Sequence, residues 1–77
     1  MKTIYLLDEN YNWKLFEYSE LSELKNEFEK RRIKIGNDAK IGDYATIGND
    51  ATIGDYATIG NDAKIGDYAT IGDYATF

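Results

Sequence analysis

Ile35, Ile41, Ile47, Ile53, Ile59, Ile65 and Ile71 recur every six residues, each followed by Gly, and Phe77 fills the eighth slot. Ala39, Ala45, Ala51, Ala57, Ala63, Ala69 and Ala75 keep step, two residues before the next large apolar side chain. Residues two apart in a strand share a face, so Ala and Ile point inward together while the Thr or Lys between them points out. Gly, then Asn or Asp, interrupts the strand and tolerates positive φ. The pattern therefore demands a very short strand and a bend every six residues.

The phrase, as in "IGNDAKIGDYAT", resembles the hexapeptide repeat of the left-handed parallel β-helix superfamily. Its rule is an aliphatic residue, a Gly-like residue, two variable ones, a small residue and one more variable, and it runs through residues 35–77. The resemblance implies a β-solenoid in which three hexapeptides make one triangular coil, so about two and a third coils here. Residue i then stacks on i+18. The phrase alternates "IGNDA" with "IGDYA", so neighbouring coils place Asn37 on Asp55, Asp43 on Asn61 and Asn49 on Asp67. Like charges seldom meet, which favours the ladder. The final "IGDYAT" breaks the alternation and sets Asp73 on Asp55 and Tyr74 on Tyr56.

Residues 1–34 read differently. "KTIYLL" is rich in strand formers, "DENYN" supplies a turn, and "WKLFEY" alternates Trp13, Leu15 and Glu17 against Lys14, Phe16 and Tyr18. Both sides carry aromatics, so each face is expected to be covered. Leu21, Leu24 and Phe28 then fall three and four apart, the stripe of an amphipathic helix over about residues 20–31, with Ser19 as N-cap. Lys30, Arg31 and Arg32 close it in keeping with the helix dipole, and Glu27 pairs with Arg31. Solenoids need a cap on a terminal repeat. The chain thus divides into a ββα cap, residues 1–34, and a hexapeptide β-helix, residues 35–77.

Charge narrows the chemistry. Residues 1–34 balance seven acids against seven bases, so the whole net charge of −5 lies on the repeats. An acidic surface argues against a nucleic-acid partner. No apolar run is long enough to span a bilayer, and "MKTIYLLDEN" does not read as a signal peptide, which points to a soluble chain of cytoplasmic synthesis. There is no Cys and no His, which removes disulfides, thiolate metal sites and the commonest general base. No cofactor is expected. Asp43, Asp55, Asp67 and Asp73 follow Gly in the bends and read as solvated turn residues rather than Ca²⁺ ligands.

Many proteins of the resembled superfamily are acyltransferases, and the resemblance implies a catalytic His between trimer subunits; no residue in 1–77 matches it. The expectation is therefore a non-enzymatic structural or oligomerisation module, a rigid stem of the kind found in virion or surface fibres and decoration proteins. A homo-oligomer is expected, a trimer as in relatives before end-to-end stacking, with Tyr56, Tyr74 and Phe77 as assembly contacts. The alternative is the N-terminal part of a longer hexapeptide-repeat acyltransferase whose catalytic His lies beyond residue 77.

Overall fold

β1 (Lys2–Leu7) and β2 (Trp13–Tyr18) form an antiparallel hairpin in a computed structural model that describes all 77 residues. Asp8 makes the turn. Its Oδ1 accepts from the N–H of Asn10 at 2.8 Å and of Asn12 at 2.9 Å, while Tyr11 takes a left-handed φ of 62°. Short polar side chains that bond nearby backbone are what such turns select. The alternation of β2 sends Tyr18 and Phe16 toward the core beside Ile4 and Leu6. Trp13 and Leu15 point the other way and are each 50% exposed. The expectation that both faces of β2 are covered fails, because the repeats pack against one face of the hairpin only.

The expected single helix with Ser19 as its cap divides into a 3₁₀ turn, Leu21–Leu24, and α1, Lys25–Lys30. Glu20, not Ser19, is the cap residue. The Glu23 carboxylate reaches back to accept from the N–H of Glu20 at 3.0 Å and of Ser19 at 3.3 Å. A charged acceptor thus satisfies two donors that a single hydroxyl could not. Leu24 and Phe28 are buried and Leu21 half-buried, as the stripe requires. Arg31 closes the far end: Nη1 donates to the Glu27 carbonyl at 2.8 Å and to Glu27 Oε1 at 3.0 Å, and Nε donates to the carbonyl of Leu7. The centre of the basic cluster therefore ties the helix to β1.

The repeats form β3 (Lys34–Ile35), β4 (Lys40–Ile41), β5 (Ala45–Ile47), β6 (Thr52–Ile53), β7 (Thr58–Ile59), β8 (Lys64–Ile65) and β9 (Thr70–Ile71). They pair in parallel at the expected offset: Lys34 with Thr52, Lys40 with Thr58, Thr46 with Lys64 and Thr52 with Thr70. A bridge between Thr58 and Thr76 continues the second face. Successive strands fall in three sheets, ordered β3-β6-β9, β4-β7 and β2-β1-β5-β8. The Ile and Ala side chains converge between them. Ile41, Ile47, Ile53, Ile59 and Ile65 are at most 2% exposed, each contributing roughly 1.5–3 kcal/mol by its removal from water.

The hairpin enters the third sheet as a substitute layer. β1 runs parallel to β5, pairing Ile4 with Ala45, Tyr5 with Thr46 and Leu6 with Ile47. The Thr3 N–H donates to Asp43 Oδ1 at 3.1 Å, and its carbonyl accepts from the Tyr44 N–H at 2.7 Å. Asn37 makes the same two bonds to Asp55 Oδ1 and the Tyr56 N–H, at 2.7 and 2.9 Å. Thr3 thus does the work of a hexapeptide's third residue. One core cluster joins Ile4, Leu6, Tyr18, Leu24, Phe28 and Ile33 to the Ile and Ala of the repeats, so the two segments share a core.

Candidate assembly surface

Each bend is made by the fourth residue of its hexapeptide. Asp38, Tyr44, Asp50, Tyr56, Asp62, Tyr68 and Tyr74 have φ between 57° and 64°, and no Gly has positive φ. The expectation that Gly and the next residue supply the left-handed turn is corrected here: Gly36, Gly42, Gly48 and Gly54 are required by closeness. A Cβ on Gly48 would lie 2.6 Å from the Asp67 nitrogen and 2.7 Å from the Gly66 carbonyl carbon, both in the next layer. Side chains of the third residue fill the rest of that space. Oδ1 of Asp55, Asn61, Asp67 and Asp73 accepts from the N–H of Asn37, Asp43, Asn49 and Asp55, at 2.7–2.9 Å. The Asn/Asp stacking read from the sequence is therefore a hydrogen-bonded ladder, and it tolerates Asp73 beneath Asp55 because the carboxylate faces an N–H dipole.

Asp accepts a left-handed bend readily, whereas Tyr does so at a cost on the order of 1 kcal/mol or more. Backbone bonds across the layers hold each Tyr there: Tyr44 N–H to Thr3, Tyr56 to Asn37, Tyr68 to Asn49 and Tyr74 to Asp55, at 2.7–2.9 Å. The left-handed backbone swings the ring away from the core. Tyr44, Tyr56, Tyr68 and Tyr74 are 52%, 51%, 74% and 75% exposed.

Two of the three expected contact residues come together. Tyr56 and Tyr74 stack with ring centroids 5.1 Å apart and planes 7° from parallel. Phe77 stands apart from them. It is 53% exposed, its N–H donates to the Thr58 carbonyl and its own carbonyl accepts from Gly60, both at 2.8 Å. A second aromatic surface escaped the sequence reading. Leu15 lies across from Tyr5 on the outer face of the hairpin, Trp13 adjoins on the same face, and Tyr5 meets Tyr44 at 6.4 Å between centroids. The alternation of "WKLFEY" held the signal, but it does not say which of two aromatic-bearing faces is inward.

Two groups titrate abnormally. The Arg31 hydrogen bond, helped by Lys30 and Lys14, holds the Glu27 carboxyl below its ordinary value. Burial first, and the Asp43 charge second, push the Tyr18 hydroxyl up; it donates to the Ile41 carbonyl at 3.4 Å. A cleft of about 760 Å³ between the hairpin turn, α1 and Asn49 is lined by Glu27, Lys14, Lys30 and Arg31. Its charges largely answer one another, Glu27 with Arg31 and Lys30. Asn49 Oδ1 is buried there without a partner; the ladder would hand it the N–H of Arg31, which turns to the Phe28 carbonyl instead.

The Asp rank is committed to this ladder, and no three acidic side chains converge as a metal site would need. No helix is long and apolar enough to cross a membrane. No curated protein and no solved structure matches the chain. The family model described as bacterial transferase hexapeptide (six repeats) matches residues 32–63 and again 44–77. With more than half of its residues in that match, the chain belongs to the bacterial transferase hexapeptide-repeat family.

Proposed function

We propose that the chain is a non-enzymatic structural and oligomerisation module. In this reading residues 35–77 form a left-handed triangular β-helix of about two and a third coils, and residues 1–34 cap it. The module serves as a stiff stem or spacer in a larger homo-oligomeric assembly, with a trimer as the simplest arrangement. Fibres and decoration proteins of virions or cell surfaces are settings in which such a stem is useful. One observation carries the reading: the recurring Ile, Ala, Gly and third-position Asn or Asp are all engaged in joining layer to layer. Ile and Ala fill the core, Gly gives the approach, and Asn and Asp bond the layer above, leaving Thr, Lys and Tyr to face outward. Sedimentation equilibrium over a wide concentration range tests it. A discrete oligomer rich in β-structure is expected; a monomer lacking β-structure refutes it.

The family description favours a second reading, in which the chain is the N-terminal part of a longer acyltransferase whose catalytic His lies beyond residue 77. Acyl-CoA turnover by the natural full-length product, abolished by replacing that His, distinguishes the two.

A further inference from the structure

β2 is the outer strand of the sheet β2-β1-β5-β8, with β1 as its one neighbour. The direction of its backbone groups follows from the turn. Asp8 donates its N–H to the Asn12 carbonyl at 2.8 Å, and this pair continues the register that sets Leu7 against Trp13. Antiparallel strands alternate bonded and unbonded pairs. Lys14, Phe16 and Tyr18 therefore bond β1, while Trp13, Leu15 and Glu17 turn their N–H and C=O groups outward. Their opposite numbers on β1 have the same phase. The Thr3 carbonyl accepts from the Tyr44 N–H at 2.7 Å and the Leu7 carbonyl from Arg31 Nε, both on the side away from β2. None of the three outward residues finds a backbone partner elsewhere. β8 is the opposite edge of this sheet, so hexapeptides stacked beyond it leave β2 unchanged.

We propose that β2 pairs antiparallel with β2 of a second copy about a two-fold axis through Leu15, joining two four-stranded sheets into one. The inference rests on the reading of the chain as a self-associating module and names the surface that associates. With Leu15 on the axis, Leu15 faces the partner's Leu15 and Trp13 faces the partner's Glu17. Each facing pair exchanges two hydrogen bonds. Two neighbouring registers also bring outward groups together, and both are poorer. With Lys14 on the axis, two like charges stand directly opposite. With Phe16 on the axis, Trp13 faces the partner's Ser19, past the end of the strand at Tyr18. In the Leu15 register no charge meets its own kind, and Lys14, which already lies over its own Phe16 ring at 5.3 Å, falls beside the partner's Phe16. Trp13 and Leu15, each 50% exposed, gain cover. Edge strands that stay unpaired are commonly blunted by Pro or a bulge. β2 has neither, since the chain contains no Pro and the pairing with β1 runs unbroken from Tyr18 to Trp13. An isologous contact closes at two copies instead of growing into a filament.

Sedimentation equilibrium on the 77-residue chain tests this, with far-UV circular dichroism on every sample. Leu15→Pro removes an N–H that β1 does not use, a replacement that edge strands tolerate. Leu15→Lys sets like charges on the axis. The wild type is expected at an even number of copies, a dimer or a hexamer of two trimers. Both variants should keep the β-spectrum, halve the mass and weaken pairing roughly tenfold or more. Leu15→Cys and Glu17→Cys then test the register, in a chain with no other thiol. Facing Cα atoms of a bonded pair lie about 5.5 Å apart, within disulfide reach, so Leu15→Cys should cross-link under mild oxidation. Glu17→Cys should not, because its two copies stand roughly 13 Å apart along the strands. A trimer, or an even-numbered oligomer, that survives both Leu15 variants overturns the edge contact and leaves the module reading standing. Equal cross-linking of the two thiol variants, the mark of chance encounter, also overturns it, as does a folded monomer. A monomer lacking β-structure refutes the module reading as well.

Discussion

Adding a single methyl group at Gly48 tests the central claim about the layers. A Cβ there sits 2.6 Å from the Asp67 nitrogen, while ordinary contact begins near 3.4 Å. The layers must therefore part locally by roughly 0.8 Å, because close-packed neighbours leave no slack. Two bonds cross that gap, Gly48 N–H to the Ile65 carbonyl at 2.8 Å and Asn49 N–H to Asp67 Oδ1 at 2.9 Å. Stretched by that amount, neither remains a hydrogen bond. Their loss costs about 1 kcal/mol each, and residual overpacking adds about 1 kcal/mol or more. The smaller entropy of the unfolded Ala chain gives back about 0.4–1 kcal/mol. The net destabilisation is about 2–3 kcal/mol, or roughly 10–20 °C in Tm for a domain of this size. Gly72→Ala, which meets nothing, should instead raise Tm by a few degrees, about 2–6 °C. Thermal melts followed by circular dichroism, at concentrations where the chain is dissociated, read both. Equal effects of the two substitutions would refute the claim that layer spacing, and not backbone conformation, requires these glycines.

Three other outcomes follow from named contacts. Asp67→Ala, which strips the acceptor from the Asn49 N–H, should cost about 0.5–1.5 kcal/mol in urea titration, and Asp67→Asn much less. A double-mutant cycle on Tyr56 and Tyr74 should give a coupling of about 0.5–1.5 kcal/mol from ring stacking, and a cycle on Tyr68 and Tyr74 none. Stability should also fall at both pH extremes, for opposite reasons. Glu27 titrates below its ordinary 4.5, so its contribution is present above that pH and lost as pH falls through the lowered value; Glu27→Gln should flatten the acid limb. Tyr18 titrates above its ordinary 10.0, so its contribution is complete below that pH and lost as pH rises through the raised value; Tyr18→Phe should flatten the alkaline limb.

The sequence makes the repeat legible because its period is strict and local. Ile–Gly with Ala two residues before the next Ile marks the strands and core, and the eighteen-residue register brings Tyr74 under Tyr56 as the break in the alternation implies. What it hides depends on distances between layers. Nothing in "IGD" says that Gly is there for a neighbouring carbonyl carbon, while an aromatic residue two positions later bends left-handed. The cap was legible as elements and less so as surfaces. Ser19 looks the better helix cap, yet the charged Glu23 side chain bonds two backbone donors together. Trp13 looks like core, yet the long-range pairing of β1 with β5 decides which side of the hairpin faces inward. That pairing joins positions some forty residues apart, as between Thr3 and Asp43, beyond any local pattern.

The same substitute strand has a kinetic consequence. A chain of near-interchangeable phrases can slip by one phrase and keep Ile over Ile and Gly over Gly, so many wrong alignments lie close in energy to the right one. Only a segment that is not itself a repeat can supply an origin for counting. Thr3, Ile4 and Leu6 provide that origin by settling on Asp43, Ala45 and Ile47. The hairpin must wait for those residues, because closing so long a loop precedes any gain from the contact. Refolding should therefore be limited by finding the first correct alignment, after which each later layer is templated by the one before.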